Sequence, residues 1–336
     1  MLVTKRQKHK RVRTDWIWTN ESTPDPENYM ILSAKQVCKS YASNAVLHPM
    51  DLAVDAGEKL GIIGETGSGK TTLLRALCGL LDVTDGEIRF QSERVAGPAE
   101  KLIPGHPQIA YLSQSVDLRN QYRVRDLLEL NSIQELEADE ALATLCRIDH
   151  LMDRMTDQLS GGERQRIGLA IALAKKPTIL MLDEPFSNLD IGHRNTLRSI
   201  LDELHQTLGL TLLIVSHNPA EVLGWADRIL VLRAGYCIQT GTPENIYNEP
   251  ANEYVAQLLG AFNPITPNRS EPFQILRPER LKLTETGNGI RSGIIMKKEF
   301  EGATTLYSIQ NEEGLWWVRI ADSDLPIGRE VGIINA

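Results

Sequence analysis

Short runs of apolar residues recur along the chain from residue 31 onward, and the stretches between them carry apolar positions three and four apart. The runs at 60–63, 109–112, 179–182, 212–215 and 229–232 are strand-sized and bounded by polar or turn-forming residues. Continuous apolar runs of this length read as strands buried on both faces, as in a parallel sheet. The stretches 71–80, 163–174, 195–208 and 219–226 follow the helical period instead. Strands alternating with helices predict an α/β fold on a mainly parallel sheet, with ligands at the carboxyl ends of its strands.

Two regions depart from that alternation. Residues 124–157 contain no strand-like run and read as a small helical insert, placed at 115–160 with its flanks. After residue 262, Asn263, Pro264, Pro267 and Asn268 mark a linker. Beyond it the β-prone runs 293–296, 304–309, 315–320 and 331–334 are separated by Gly, Asn and Asp, a pattern that predicts a compact, barrel-like β module. The expected organisation is therefore 1–29 as a basic, irregular tail, 30–262 as the α/β domain and 263–336 as the β module. Lys5, Arg6, Lys8, Lys10, Arg11 and Arg13 make the tail basic, but no apolar segment follows, unlike a secretory signal. Met30 stands as an alternative start.

Composition mainly excludes. An apolar fraction of 42% is that of a folded globular chain. A formal charge of −8 argues against a general nucleic-acid binder, which carries a basic surplus or face. Cys38, Cys78, Cys146 and Cys237 lack paired short spacing, so neither a zinc site nor a disulfide frame is expected. No apolar run approaches the roughly 20 residues that cross a bilayer. Any membrane role is expected to come through a partner.

The candidate chemistry begins directly after the first buried run. Gly64, Glu65, Thr66, Gly67, Ser68, Gly69, Lys70 and Thr71 fit the phosphate-binding loop pattern, preceded by a strand and followed by a helix. Its glycines let backbone N–H groups curl around phosphate oxygens, and the helix N-terminus adds positive charge. Lys70 is expected to reach the β- and γ-phosphates of ATP, with Thr71 on Mg²⁺ and Thr72 completing the ATP-binding set. The run at 179–182 ends in Asp183 and Glu184. Asp183 is the expected Mg²⁺ holder, and Glu184 the group that polarises the attacking water.

The segment Leu159, Ser160, Gly161, Gly162, Glu163, Arg164, Gln165 is a capping box with two glycines inside it. It resembles the signature sequence of the ATP-binding cassette (ABC) family, and the resemblance extends over 33–260. By that resemblance Tyr41 is expected to stack on adenine and Gln114 to sense Mg²⁺ and the γ-phosphate. Ser187, Asn188, Leu189 and Asp190 resemble the family's D-loop, with Asp190 near the nucleotide. His217 resembles the switch histidine at the γ-phosphate, which makes Glu184, His217 and Gln114 the expected catalytic set. The resemblance implies a head-to-tail homodimer, in which Ser160, Gly161 and Gly162 of one copy close over ATP held by the other.

Segments near 275–279, 300–307 and 325–332 resemble the OB-like accessory domain called TOBE, found in importer ATPases for polyamines, ferric iron, oxyanions and sugars. That implies an ATP-hydrolysing subunit on the cytoplasmic face of the inner membrane, with an integral-membrane permease and, indirectly, a substrate-binding protein. The stretch 115–124 departs from the aromatic-Pro-His pattern usual after the importers' glutamine, so it names no permease. A soluble ABC ATPase acting on nucleic acid or ribosomes is the alternative. Such relatives usually carry two cassettes, long coiled coils or zinc-binding cysteines, none of which is read here. A ligand-sensing role for the β module is compatible with transport.

Overall fold

The structure is a computed structural model that describes residues 30–42, 44–132, 136–265, 273–285, 291–321 and 324–335. The basic tail and residues 266–268 of the linker lie outside the described residues. The chain divides into two compact units, 1–237 and 238–336.

In the first unit the five expected strands share one sheet. Within a six-stranded sheet these five lie in the order Arg228–Arg233, Lys59–Ile63, Thr211–Ser216, Ile179–Asp183 and Ile109–Leu112, and each neighbouring pair among them is parallel; Tyr236–Gly241 is the sixth strand, next to Arg228–Arg233. Ile179–Asp183 and Thr211–Ser216 are buried throughout, which is why they lack polar alternation. A second, antiparallel sheet was not foreseen: Asn44–Asp55, Met30–Tyr41, Asp85–Phe90 and Glu93–Arg94 lie in that order. Several register shifts interrupt the pairing of its first two strands and blur the two-residue period. The helix Lys70–Leu77 buries Leu73, Leu74 and Leu77 in the core shared by both sheets.

The helical insert is present as Val124–Asn131 and Leu136–Leu145, followed by single turns at Asp149–Leu151 and Thr156–Gln158. Leu127, Leu128, Leu142, Leu145, Ile148 and Leu151 supply its buried side chains. The helix Gly161–Leu173 is buried along much of its length. A Cβ on its Gly168 would stand 2.5 Å from Val116 Cγ1, so this position needs glycine for contact with the segment after Gln114.

Two cysteines are sealed into this unit. Cys78 lies with its Sγ 3.2 Å from Met181 Sδ, and Cys146 is fully buried in the helical insert. Burial pushes both thiols up, that of Cys146 to about 12. Cys38 and Cys237 are only partly buried.

The second unit holds a five-stranded antiparallel sheet in the order Leu281–Thr284, Glu330–Asn335, Arg291–Phe300, Thr304–Asn311 and Gly314–Ala321. Leu281, Ile295, Tyr307, Ile309, Trp316, Val318, Val331 and Ile333 are its core. The short helices Pro243–Asn248 and Glu253–Leu258 also belong to this unit, upstream of the linker-like residues. Arg277 ties them to the strands. Its side chain is 2% exposed and donates to the carbonyls of Tyr247, Ala256, Gly260 and Ala261 at 2.9–3.2 Å. Its guanidinium also lies 4.1 Å from the Tyr247 ring centroid.

Candidate active site

The strand Lys59–Ile63 is buried from Leu60 onward and delivers the chain into a loop with three glycines at positive φ: Gly64, Gly67 and Gly69. At Gly64 a Cβ would meet the Leu232 carbonyl oxygen at 2.1 Å, so only glycine fits. Gly69 is the N-cap of Lys70–Leu77 with φ 101, and no side chain caps that helix. Its first N–H groups are left for an external acceptor. Around Gly67 there is open space, and Glu65 and Thr66 are exposed beside it. Ser68 Oγ is buried with no hydrogen-bond partner. Such an orphaned hydroxyl inside a phosphate loop is a vacant donor for an anion.

Lys70 is held over this loop. Its Nζ donates to the carbonyls of Gly64 and Glu65, both at 2.8 Å. Burial lowers its pKa, opposed by the charges of Glu184, Asp183 and Glu65. A buried ammonium facing two carboxylates across an open loop is set to receive a polyanion.

Asp183 and Glu184 end the strand Ile179–Asp183, next to Thr211–Ser216, whose end delivers His217. Thr71 Oγ1 donates to Asp183 Oδ1 at 3.0 Å, and the Tyr111 hydroxyl donates to Asp183 Oδ2 at 3.0 Å. Glu184 adopts φ 49, a left-handed conformation that costs a β-carbon residue roughly 1–2 kcal/mol. Its own N–H donates to the Val215 carbonyl at 2.9 Å, and Ser187 Oγ donates to its carbonyl at 2.8 Å. Glu184 Oε2 takes Gln114 Nε2 at 3.3 Å and lies 2.9 Å from His217 Nδ1. The three residues expected to be catalytic meet at that one oxygen. Gln114 Nε2 also reaches Ser187 Oγ at 3.3 Å, which links it to the D-loop-like segment.

The signature-like segment starts the helix Gly161–Leu173 with the expected capping box. Glu163 N donates to Ser160 Oγ at 3.3 Å, and Ser160 N donates to Glu163 Oε2 at 2.8 Å. Gly161 faces open space, whereas a Cβ on Gly162 would stand 2.5 Å from His193 Cδ2. His193 in turn is tied to Asp190, which caps the helix Ile191–Leu208 through His193 N at 2.8 Å and meets His193 Nδ1 at 2.7 Å. Asp190, expected near the nucleotide, therefore spends its carboxylate on its own helix start. Tyr41 ends the strand Met30–Tyr41 with its ring half exposed and the Lys39 ammonium 5.0 Å from the ring centroid. Thr72 stands half-buried in the first turn after the loop.

Two contributors escaped sequence reasoning, Tyr111 and His193, and Gln165 of the signature-like segment has an unforeseen role, its side-chain amide donating to the Pro185 carbonyl beside Glu184. Tyr111 acts on a residue 72 positions away, and His193 meets Gly162 only in space, so no local pattern marks either.

A phosphate loop, a strand-end carboxylate pair and a second capped glycine pair on one parallel sheet define a P-loop NTPase of the cassette kind. A family model described as ABC transporter matches residues 47–187. The spermidine/putrescine import ATP-binding protein PotA of Mycoplasma capricolum subsp. capricolum is 30% identical over 338 residues, spanning 90% of this chain and 94% of its own. The sulfoquinovosyl glycerol transport ATP-binding protein SmoE of Agrobacterium fabrum is 35% identical over 237 residues, 68% of this chain and 65% of its own. Among solved structures, cbiO1 of Clostridium perfringens, part of the ABC transporter complex cbiONQ, matches with a TM-score of 0.60 at 25% identity, over 66% of this chain and 92% of that one. The chain belongs to the ABC transporter family as an ATP-binding subunit, and its enzymatic activity is ATP hydrolysis.

Proposed function

We propose that this ATPase powers import: it binds ATP with Mg²⁺, pairs head to tail with a second copy, and drives an integral-membrane permease from the cytoplasmic face of the membrane. A substrate-binding protein would feed that permease. The relatives named for import are the support for direction. The convergence of Gln114, Glu184 and His217 on one carboxylate oxygen carries the catalytic reading.

In this reading the loop N–H groups, Ser68 and Lys70 bind the phosphates. Glu184 takes the proton of the attacking water, and His217 and Gln114 transfer their contacts from Glu184 to the γ-phosphate and the water. The donors beside the loop fit Mg²⁺: a hydroxyl and a carboxylate, both hard oxygen ligands, joined by the Thr71–Asp183 bond. A hydroxyl that donates its proton to Asp183 keeps its lone pairs for a cation. Bound there, Mg²⁺ would supply charge neutralisation at the phosphates. Tyr41 would stack on adenine. Ser160 and Gly161 of the second copy would cover the γ-phosphate, so that ATP favours the closed dimer only by contacts absent from the open one.

Glu184→Gln tests the chemistry. General-base assistance is worth about 10²–10⁴ in rate. The variant is expected to bind ATP normally while phosphate release falls by at least about 100-fold. Copurification of the tagged variant from detergent-solubilised membranes with ATP and Mg²⁺ tests the partner. A polytopic membrane protein in the complex supports import. Ribosomes or nucleic acid without a membrane protein would overturn it.

A further inference from the structure

Asp183 is gripped by two hydroxyls. Thr71 Oγ1 donates to one carboxylate oxygen and the Tyr111 hydroxyl to the other, both at 3.0 Å. Asp183 as a whole is 4% exposed, so water does not compete freely for its carboxylate. Tyr111 comes from the adjacent strand Ile109–Leu112, paired in register so that Tyr111 lies opposite Met181, two residues before Asp183.

A carboxylate with one anchored oxygen can still rotate about its Cβ–Cγ bond. Anchoring the second oxygen fixes the carboxylate plane and holds Oδ1 on Thr71. From this geometry we infer that Tyr111 is a positioning residue for the metal: its hydroxyl fixes the Asp183 carboxylate in the orientation that the Thr71-bound cation needs. This inference rests on the Mg²⁺ reading above. Partners of this kind around metal-holding groups are worth about 10–100-fold in metal affinity. Tyr111 also packs against the core of its unit, and packing alone is the competing explanation. Phenylalanine separates the two, because it keeps the ring and removes only the hydroxyl.

The experiment is a Mn²⁺ titration followed by electron paramagnetic resonance, in the Glu184→Gln chain with saturating ATP. Tyr111→Phe is expected to weaken Mn²⁺ binding about 10-fold. Its ATP affinity in EDTA should stay within about twofold of the parent, since a single bond that does not touch the nucleotide is removed. In an Asp183→Asn background the same substitution should have no further effect, because the two act through one bond. An unchanged Mn²⁺ titration overturns the inference, as does an equal loss of ATP affinity in EDTA, which would mark a packing role. Failure of the parent itself to bind Mn²⁺ with ATP would overturn the metal reading, and this inference with it.

Discussion

The two signature glycines sit side by side and meet different surroundings. Gly162 is closed in by the His193 ring, and an added methyl there overlaps it. Overpacking of that kind usually costs about 1–3 kcal/mol. Gly161 meets nothing within 4 Å in its own chain. Gly161→Ala is therefore expected to leave the urea-denaturation midpoint nearly unchanged, within about 0.5 kcal/mol. In the proposed dimer the same methyl would press on the partner's nucleotide and lower ATP turnover. Full activity in Gly161→Ala would argue against the trans contact, and lost stability would contradict the open surroundings. Residues of this kind were legible because phosphate binding writes itself into contiguous sequence: 64–71, 159–165 and 183–184 are unbroken segments. Tyr111 was illegible because its bond to Asp183 spans 72 positions. His193 was illegible because its meaning is steric and depends on Gly162 being next to it in space.

Helix ends carry much of the organisation at the next scale. The helix Gly161–Leu173 begins on a reciprocal Ser160–Glu163 pair, and the Glu163 carboxyl is held below the usual carboxylate range, chiefly by the Ser160 N–H that it accepts. Its stabilisation is complete above the ordinary glutamate pKa and disappears as pH falls through the lowered value. Stability measured against pH should show the wild type losing ground on Glu163→Gln in that acid window, since glutamine keeps the bond without the charge. In the second unit, Arg277 donates into the C-terminal ends of two short helices, where carbonyls lack helical partners. Burial lowers its pKa, and carbonyls rather than a carboxylate satisfy it. Arg277→Met should lower chemical-denaturation stability by about 3 kcal/mol, because several buried carbonyls lose their donor. Lysine should not rescue it, since one ammonium cannot span the fork. A loss under about 1 kcal/mol would show that water replaces the guanidinium. The parallel strands were readable as apolar runs. The antiparallel strands Met30–Tyr41 and Asn44–Asp55 were not, since their irregular register breaks the alternation that reveals a half-buried strand.

At the scale of the molecule, the family model matches 47–187, inside the first unit. The β unit was legible as a texture of short strands between turn residues, while its tie to the helices at 243–258 depends on one arginine whose role no periodicity announces. The placement of the four cysteines has a practical consequence. At neutral pH a maleimide should modify Cys38 first in the folded protein, Cys237, whose thiol burial pushes up, more slowly, and spare Cys78 and Cys146 until the first unit opens. Peptide mapping after brief labelling checks this: modification of Cys78 as fast as Cys38 at 25 °C would mean that its core breathes. With the sealed pair silent, replacing only Cys38 and Cys237 by serine would give a clean background for spin labels or fluorophores. The opening and closing of the proposed dimer could then be followed by distance measurements, and the two remaining thiols would report heat damage.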